Sequence, residues 1–90
     1  MSAQAIAVSE LGIYAVSDAE VYVNKILTTA DGAEAVIASE LEGRDAAEVK
    51  ATLEAGAQAP YQLVVDLLDA LRKNGVTGVG LATRPGEPSP

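Results

Sequence analysis

The stretch PYQLVVDLLDALRKNGVTGVGLAT, residues 60–83, decides the fold of this chain. Proline suits the first turn of a helix, where its missing N–H group leaves no hydrogen bond unmade. The apolar residues after Pro60 cover well over half of a helical circumference, more than the ~100° stripe of an ordinary surface helix. Asn74 and Gly75 then predict a left-handed helix end, and the residues beyond them alternate as in a strand. The stretch therefore predicts a helix that contacts both a sheet and a neighbouring helix, followed by a terminal strand.

The predicted terminal strand, residues 76–83, has two unequal faces. One face carries threonines and large aliphatic residues, whereas the other is nearly bare backbone at Gly78, Gly80 and Ala82. Another chain can approach that face closely, because no large side chain stands in the way. A phosphate loop would place its glycines after a strand and before a helix, which is the reverse of the order found here. We predict these three residues, with Tyr61, as partner- or dimer-binding residues.

Tyr61 has two readings from the sequence. An exposed aromatic side chain at the start of a helix can anchor a partner protein. A half-buried ring can equally pack over the start of its own helix, with the hydroxyl group in water. Ordinary strand positions are also available to Tyr14 and Tyr22.

The residues upstream supply another strand and a second helix. Residues 48–55 alternate strictly between an apolar and a polar face, so we expect helices to cover only one side of the sheet. Residues 32–42 predict a short helix, with Asp31 as its N-cap, Glu34 as the capping-box partner and Gly43 as its stop.

The first part of the chain predicts two or three short strands, including a hairpin. The strand-like segments are residues 4–9, 13–16 and 20–27, with breaks at Leu11-Gly12 and Ser17-Asp18. The predicted order is β-hairpin-α-β-α-β. The predicted fold class is α+β, a two-layer sandwich with two helices on one face of a mixed sheet.

Composition limits both the domain organisation and the chemistry. The chain has 90 residues, 49% of them hydrophobic, with no Phe and no Trp. This predicts one domain with an aliphatic core at residues 4–84, an added or disordered start at residues 1–3 and a disordered tail at residues 85–90. A net charge of −7 repels duplex nucleic acid, so we expect no nucleic-acid partner.

The absence of Cys and His removes thiol nucleophiles, histidine acid–base chemistry and the usual zinc ligands. Asp66 and Asp69 could form a carboxylate pair, but a solvated polar stripe on a helix accounts for both. We therefore predict that the chain is not an enzyme, with no catalytic residue, no metal and no cofactor.

Residues 60–83 resemble the end of the periplasmic domain of the ExbD/TolR family. That family has a Pro-Tyr helix start, a Val-Val or similar pair, an acidic residue, a Leu-x-x-x-Gly ending and a Val-x-x-Val-Gly-Leu strand. The matching residues here are Pro60, Tyr61, Val64, Val65, Asp69, Leu71, Gly75, Val76, Val79, Gly80 and Leu81. Upstream the likeness is looser. Many members also carry an acidic residue in an Asp-x-x-Val-Pro-Tyr phrase, where this chain has Gly or Ala, so no role of that loop is carried over.

The resemblance implies the periplasmic domain of a single-pass inner-membrane protein in a proton-motive-force-driven stator. The family's transmembrane helix holds its proton-carrying Asp, and we expect that this helix is absent from the chain, since no apolar run approaches the ~20 residues of a span. The implied partners are a second copy in a homodimer, a polytopic ExbB/TolQ-like protein through that helix, and a TonB/TolA-like protein or peptidoglycan. The Ton, Tol and gliding-motility branches are not distinguished.

Two alternatives stay open. A stand-alone regulatory domain could bind a small molecule in a βαβ sheet, and a purely structural module could assemble without added partners. An upstream apolar segment of about 20 residues with an embedded Asp would favour the stator reading over the regulatory one.

Overall fold

The computed structural model describes residues 10–83. Its strands and helices are, in chain order, β1 (Glu10–Ser17), β2 (Glu20–Val23), β3 (Ile26–Thr28), α1 (Ala33–Leu41), β4 (Lys50–Ala55), α2 (Tyr61–Lys73) and β5 (Gly78–Thr83). A short 3₁₀ turn, Ala46–Glu48, leads into β4. The predicted α+β class, with two helices and a mixed sheet, is confirmed.

The sheet has five strands in the order β3-β2-β1-β4-β5. The first three strands pair antiparallel, whereas β1–β4 and β4–β5 pair parallel. The β4-α2-β5 unit is therefore a parallel crossover. The chain leaves two strands at the edges of the sheet, β3 and β5.

Both helices pack on one face of the sheet, as predicted. Alternate residues of β1, β2 and β4 are buried beneath them, whereas residues between, such as Lys50 and Thr52, are exposed. α2 packs against β1, β4 and α1, which explains its wide apolar surface. The largest fully buried side chains are Leu11, Ile37, Leu53, Leu63, Leu67, Leu71, Val21, Val23 and Val76. The core is aliphatic, as the composition requires.

The strands before α1 differ in part from the prediction. The predicted break at Leu11-Gly12 is wrong, because both residues lie inside β1, where Leu11 pairs with Ala51 of β4. The break at Ser17-Asp18 is confirmed, since β1 ends at Ser17. The strand predicted at residues 4–9 lies outside the described residues.

The segment predicted as one strand over residues 20–27 is split by a tight turn at Asn24 and Lys25. Both residues have positive φ, at 50° and 73°. The Asn24 N–H donates to the Gly12 carbonyl at 2.7 Å, and its side-chain oxygen accepts from the Gly12 N–H at 2.8 Å. Its side-chain amide also donates to Glu40 of α1 at 3.0 Å. Asn24 therefore ties the β2–β3 turn to both β1 and α1.

Lys25→Gly is expected to raise the free energy of unfolding by about 0.5–1 kcal/mol. A two-residue hairpin with positive φ at both positions favours Asn-Gly, and a lysine at φ 73° carries the steric cost of its Cβ. The gain is smaller than that cost because glycine loses more backbone entropy on folding. Urea unfolding followed by circular dichroism measures the change. Lys50→Gly, in the middle of the sheet, is the matched control and should destabilise; equal effects of the two variants would contradict the prediction.

The helix ends are confirmed except for one cap. Gly43 and Gly75 have φ of 79° and 91° and end α1 and α2, as predicted. The predicted Asp31–Glu34 capping box is wrong, because the N-cap of α1 is Gly32, without a side-chain cap. A Cβ at Gly32 would lie 2.7 Å from the Thr28 hydroxyl oxygen, so close packing holds a glycine there. Its N–H donates to the Thr29 hydroxyl at 3.2 Å.

β4 begins two residues later than the predicted strand at residues 48–55. Asp45 accepts a hydrogen bond from the Ala47 N–H at 3.1 Å and so caps the 3₁₀ turn that contains Glu48. β5 likewise begins at Gly78, after the predicted start at Val76.

Candidate interaction surface

β5 is an edge strand with one side unpaired. It pairs with β4 in register, Lys50 with Gly78, Thr52 with Gly80 and Glu54 with Ala82. No strand within residues 10–83 pairs with its other side. An unpaired edge presents free N–H and C=O groups to any extended segment that approaches it.

The two faces of β5 are as unequal as the sequence predicts. Neighbouring residues in register point to the same face of a sheet, so Gly78, Gly80 and Ala82 share the exposed, helix-free face of Lys50 and Thr52. A side chain at Gly80 would find room, since the nearest atom to an added Cβ is the Ala51 carbonyl oxygen at 4.0 Å. This face of β5 is bare because its residues have no side chain or only a methyl group. The surrounding backbone leaves room for larger side chains.

Leu81 lies on the opposite, helix-side face of β5 and yet is 58% exposed. It pairs in register with Leu53, which is fully buried. The difference arises because α2 packs over β1 and β4 and leaves the far end of β5 uncovered. Val65 of α2 is also exposed, at 37%, and lines an apolar groove together with Val79 of β5. Sequence reasoning missed this apolar surface.

The structure separates Tyr61 from the three β5 residues. Tyr61 is the first residue of α2 and is 82% exposed. The reading in which its ring packs over the helix start is therefore wrong, and the exposed-anchor reading stays available. However, Tyr61 belongs to the helix layer, whereas Gly78, Gly80 and Ala82 lie on the helix-free face. The four predicted residues do not form one continuous patch.

The carboxylates of α2 have contacts within their own helix. Asp66 accepts a hydrogen bond from the Gln62 amide at 2.9 Å. Asp69 lies 3.4 Å from the Arg72 guanidinium and 3.3 Å from the Lys73 ammonium. Such exposed pairs contribute little to stability. Asp66 and Asp69 therefore belong to a solvated polar stripe on α2.

A row of side chains crosses the helix-free face from one edge of the sheet to the other. In register, its members are Leu27, Tyr22, Tyr14, Glu54 and Ala82. The rings of the two tyrosines stack with centroids 6.3 Å apart and planes 17° from parallel. The row depends on the register of all four strand pairings in the sheet. The sequence alone does not give that register.

Glu20→Gln is expected to lower the pKa of Tyr22. The Tyr22 hydroxyl donates to the Glu20 carboxylate at 2.6 Å, and this hydrogen bond raises the pKa of the phenol above its ordinary value, because it favours the protonated form. NMR titration of the Tyr22 ring signals at alkaline pH measures the change. Glu34→Gln, an exposed change on α1, should leave that titration unaltered. An unchanged midpoint in Glu20→Gln would show that this hydrogen bond does not form in solution.

The sequence profile of a family described as Biopolymer transport protein ExbD/TolR matches residues 3–86, nearly the whole chain. Among curated proteins, no sequence matches this chain.

Proposed function

This chain belongs to the ExbD/TolR family, and we propose that it is the periplasmic interaction domain of a proton-motive-force-driven stator in the inner membrane. Membership assigns the chain to biopolymer transport and to a family that associates with membrane complexes. The match over residues 3–86 carries the proposal, since it spans both layers of the fold. None of the helices within residues 10–83 has the length and hydropathy to cross a membrane.

In this proposal the domain works by binding and without catalysis. The transmembrane helix and the proton-carrying Asp belong to a segment outside this chain, where a polytopic ExbB/TolQ-like protein is the partner. The periplasmic domain couples that motor to a TonB/TolA-like envelope protein or to peptidoglycan. Several exposed features support a role in binding another protein. They are the unpaired edge of β5, its bare glycines, and the side chains of Tyr61 and Leu81. Hydrolase and transferase screens of the isolated domain should therefore detect no turnover, and a turnover that is lost in Asp66→Asn or Asp69→Asn would contradict this.

We further propose that the domain forms a homodimer through β5. Pairing two β5 strands antiparallel about Gly80 would set Leu81 of each copy beside Val79 of the other on the helix side. On the helix-free side Gly78 would face Ala82, so no side chains would clash. A domain of this size buries a modest share of its surface alone, and such pairing would cover the exposed Leu81.

In-cell photo-crosslinking of the full-length protein tests the proposal. A photoreactive phenylalanine analogue at Tyr61 should capture an envelope protein, and one at Leu81 should capture a second copy of this chain. The Tyr61 adduct should change in yield when a protonophore collapses the proton motive force, because a stator domain moves with its motor. The same analogue at Ala38, an exposed position on α1, is the matched control.

Two outcomes would contradict the stator proposal. The first is a Tyr61 adduct that is identical with and without the protonophore. The second is an encoded protein without an apolar segment of about 20 residues upstream of residue 1, which would favour the stand-alone regulatory domain. That alternative also predicts that a cytosolic small molecule raises the melting temperature of the isolated domain.

A further inference from the structure

The chain contains two asparagines, Asn24 and Asn74, and of these only Asn74 is followed by a glycine. An Asn-Gly pair is especially prone to deamidation, because glycine has no Cβ to hinder attack by its backbone nitrogen on the preceding side chain. Asn74 and Gly75 lie between α2 and β5, the strand that carries the candidate interaction surface. A chemical change at this pair would therefore act on the connection to that strand.

The fold holds both reacting groups of this pair in hydrogen bonds. The Gly75 N–H, whose nitrogen is the attacking atom, donates to the Arg72 carbonyl at 3.0 Å. The Asn74 side-chain amide, whose carbon atom is the target of attack, donates to the Ala70 carbonyl at 2.8 Å. A hydrogen bond from the N–H group stabilises its protonated form, so it opposes the loss of the proton that the attack requires. The reaction therefore requires this end of α2 to open.

The hydrogen bond of the Gly75 N–H is one of two that end α2. The Val76 N–H donates to the Leu71 carbonyl at 3.0 Å, and the two bonds together form a Schellman motif. Gly75 has a φ of 91°, and Val76 is buried in the core. The attacking nitrogen is therefore held by the same motif that ends the helix, and local opening of that motif sets the rate of the reaction.

Asn24 lacks the features that make Asn74 reactive. Lys25 follows it, and the lysine side chain hinders attack by the Lys25 backbone nitrogen. The Asn24 side chain is also held at both ends, since its oxygen accepts from the Gly12 N–H and its amide donates to Glu40. We therefore expect Asn24 to react much more slowly than Asn74.

We propose that Asn74 is a deamidation site, and that opening of the Schellman motif controls its rate. After the motif opens, hydroxide removes the Gly75 amide proton and becomes water, and the Gly75 nitrogen bonds to the Asn74 side-chain carbon. The bond from that carbon to the side-chain nitrogen breaks, and ammonia leaves with a proton from water, which regenerates hydroxide. Water then opens the resulting succinimide to aspartate or isoaspartate, so a neutral side chain becomes a carboxylate. The site does not depend on which partner binds β5.

The product of the reaction destabilises the end of α2. A carboxylate at position 74 cannot donate to the Ala70 carbonyl, and it lies at the negative end of the helix dipole. Isoaspartate also inserts a methylene group into the backbone before Gly75, which displaces the nitrogen that donates to the Arg72 carbonyl. We therefore expect deamidation to loosen the connection between α2 and β5.

Mass spectrometry of the purified chain, incubated at mildly alkaline pH, measures the replacement of NH₂ by OH, and peptide mapping locates it. A capped peptide of residues 70–79 in the same buffer gives the rate without the fold. We expect the peptide to deamidate at least about tenfold faster than the folded chain, because so short a peptide forms no stable helix end. In guanidinium chloride, Asn74→Gln should lose most of the mass change, because glutamine closes a larger and less favourable ring. Asn24→Gln, the matched control in the same unfolded chain, should keep it.

Asn74→Asp imitates one product and measures the effect on the helix end. We expect the amide protons of Gly75 and Val76 to exchange with solvent about tenfold faster, because a hydrogen bond is lost and a negative charge meets the helix dipole. Gln62→Glu makes the same change from amide to carboxylate in the first turn of α2, where the helix dipole favours it. This matched control should leave the exchange of Gly75 and Val76 unchanged.

Three results would overturn the proposal. Equal rates in the folded chain and the peptide would mean that the Schellman motif does not control the reaction. An unreactive peptide, or deamidation of the unfolded chain mapped to Asn24, would refute Asn74 as the site. Unchanged amide exchange in Asn74→Asp would refute the effect on the connection between α2 and β5.

Discussion

Leu71→Ala is expected to lower the free energy of unfolding by about 2–5 kcal/mol, the largest single effect on stability that we predict. Leu71 is fully buried on the face of α2 that packs into the core. Truncation removes its buried methyl groups and leaves a cavity that the surrounding aliphatic side chains fill only in part. Small domains have total stabilities of about 5–15 kcal/mol, so this loss is a large fraction of the whole.

Thermal and urea unfolding followed by circular dichroism measure this loss. At about 4–8 °C per kcal/mol for a domain of this size, the melting temperature should fall by at least about 8 °C. Leu68→Ala, three residues earlier on α2, is half-buried and should cost less than Leu71→Ala. Leu27→Ala, at 60% exposure on β3, should change stability by less than about 0.5 kcal/mol. A loss in Leu68→Ala larger than in Leu71→Ala would mean that α2 is rotated relative to the core.

Leu81→Asp is expected to convert the homodimer into monomer at micromolar concentration. Leu81 is 58% exposed on the helix-side face of β5, where the proposed second copy would cover it. The change removes the apolar contact and adds a negative charge on each copy of a chain that already carries −7. Each effect opposes association, and together they should raise the dissociation constant more than about tenfold. Sedimentation equilibrium at moderate salt measures it.

The opposite edge of the sheet supplies a matched control. Leu27 of β3 is 60% exposed, so Leu27→Asp makes the same chemical change at the same exposure on the other edge. It should leave the dimer intact. Equal loss of dimer in both variants would mean that added charge alone, and not the β5 edge, controls association. A wild-type domain that stays monomeric at high micromolar concentration and moderate salt would contradict the dimer itself.

Gly80→Arg examines the other face of β5. A Cβ added at Gly80 would lie 4.0 Å from its nearest neighbour, the Ala51 carbonyl oxygen, so the variant should fold with an unchanged circular dichroism spectrum. In the antiparallel pairing, the two arginines would face each other across the two-fold axis and weaken the dimer. An unaffected dimer would place the interface elsewhere than on this strand.

The ends of the helices could be predicted because their signals are local. Pro60 before α2, and glycines with positive φ after each helix, act on the backbone of their own turn. The one failed cap is Asp31, because the N-cap of α1 is Gly32 and no side chain caps it; the close approach of the Thr28 hydroxyl oxygen to Gly32 is likewise not visible in the sequence. The sequence pattern was therefore sufficient to predict a helix end wherever residues of the same turn alone set the backbone conformation.

The candidate interaction surface could be predicted only in part. Alternation along the last strand separates the bare face of Gly78 and Gly80 from the face of Leu81, because successive side chains of a strand point to opposite sides. It does not show that β5 is an edge strand, nor that Leu81 is exposed while Leu53, its neighbour in register, is buried. Exposure depends on what lies above a strand, and that depends on where α2 packs.

The sequence by itself determined the α+β class, the one-sided covering of the sheet, the C-terminal ends of both helices and the family of this chain. Only the tertiary structure decided the strand order, the turn at Asn24, the stacked pair of Tyr14 and Tyr22, and the exposure of Leu81 on β5. The division has one physical reason. Periodicity and capping act between residues a few positions apart, whereas strand pairing and the reach of a covering helix join residues far apart in the chain, such as Ile13 and Leu53.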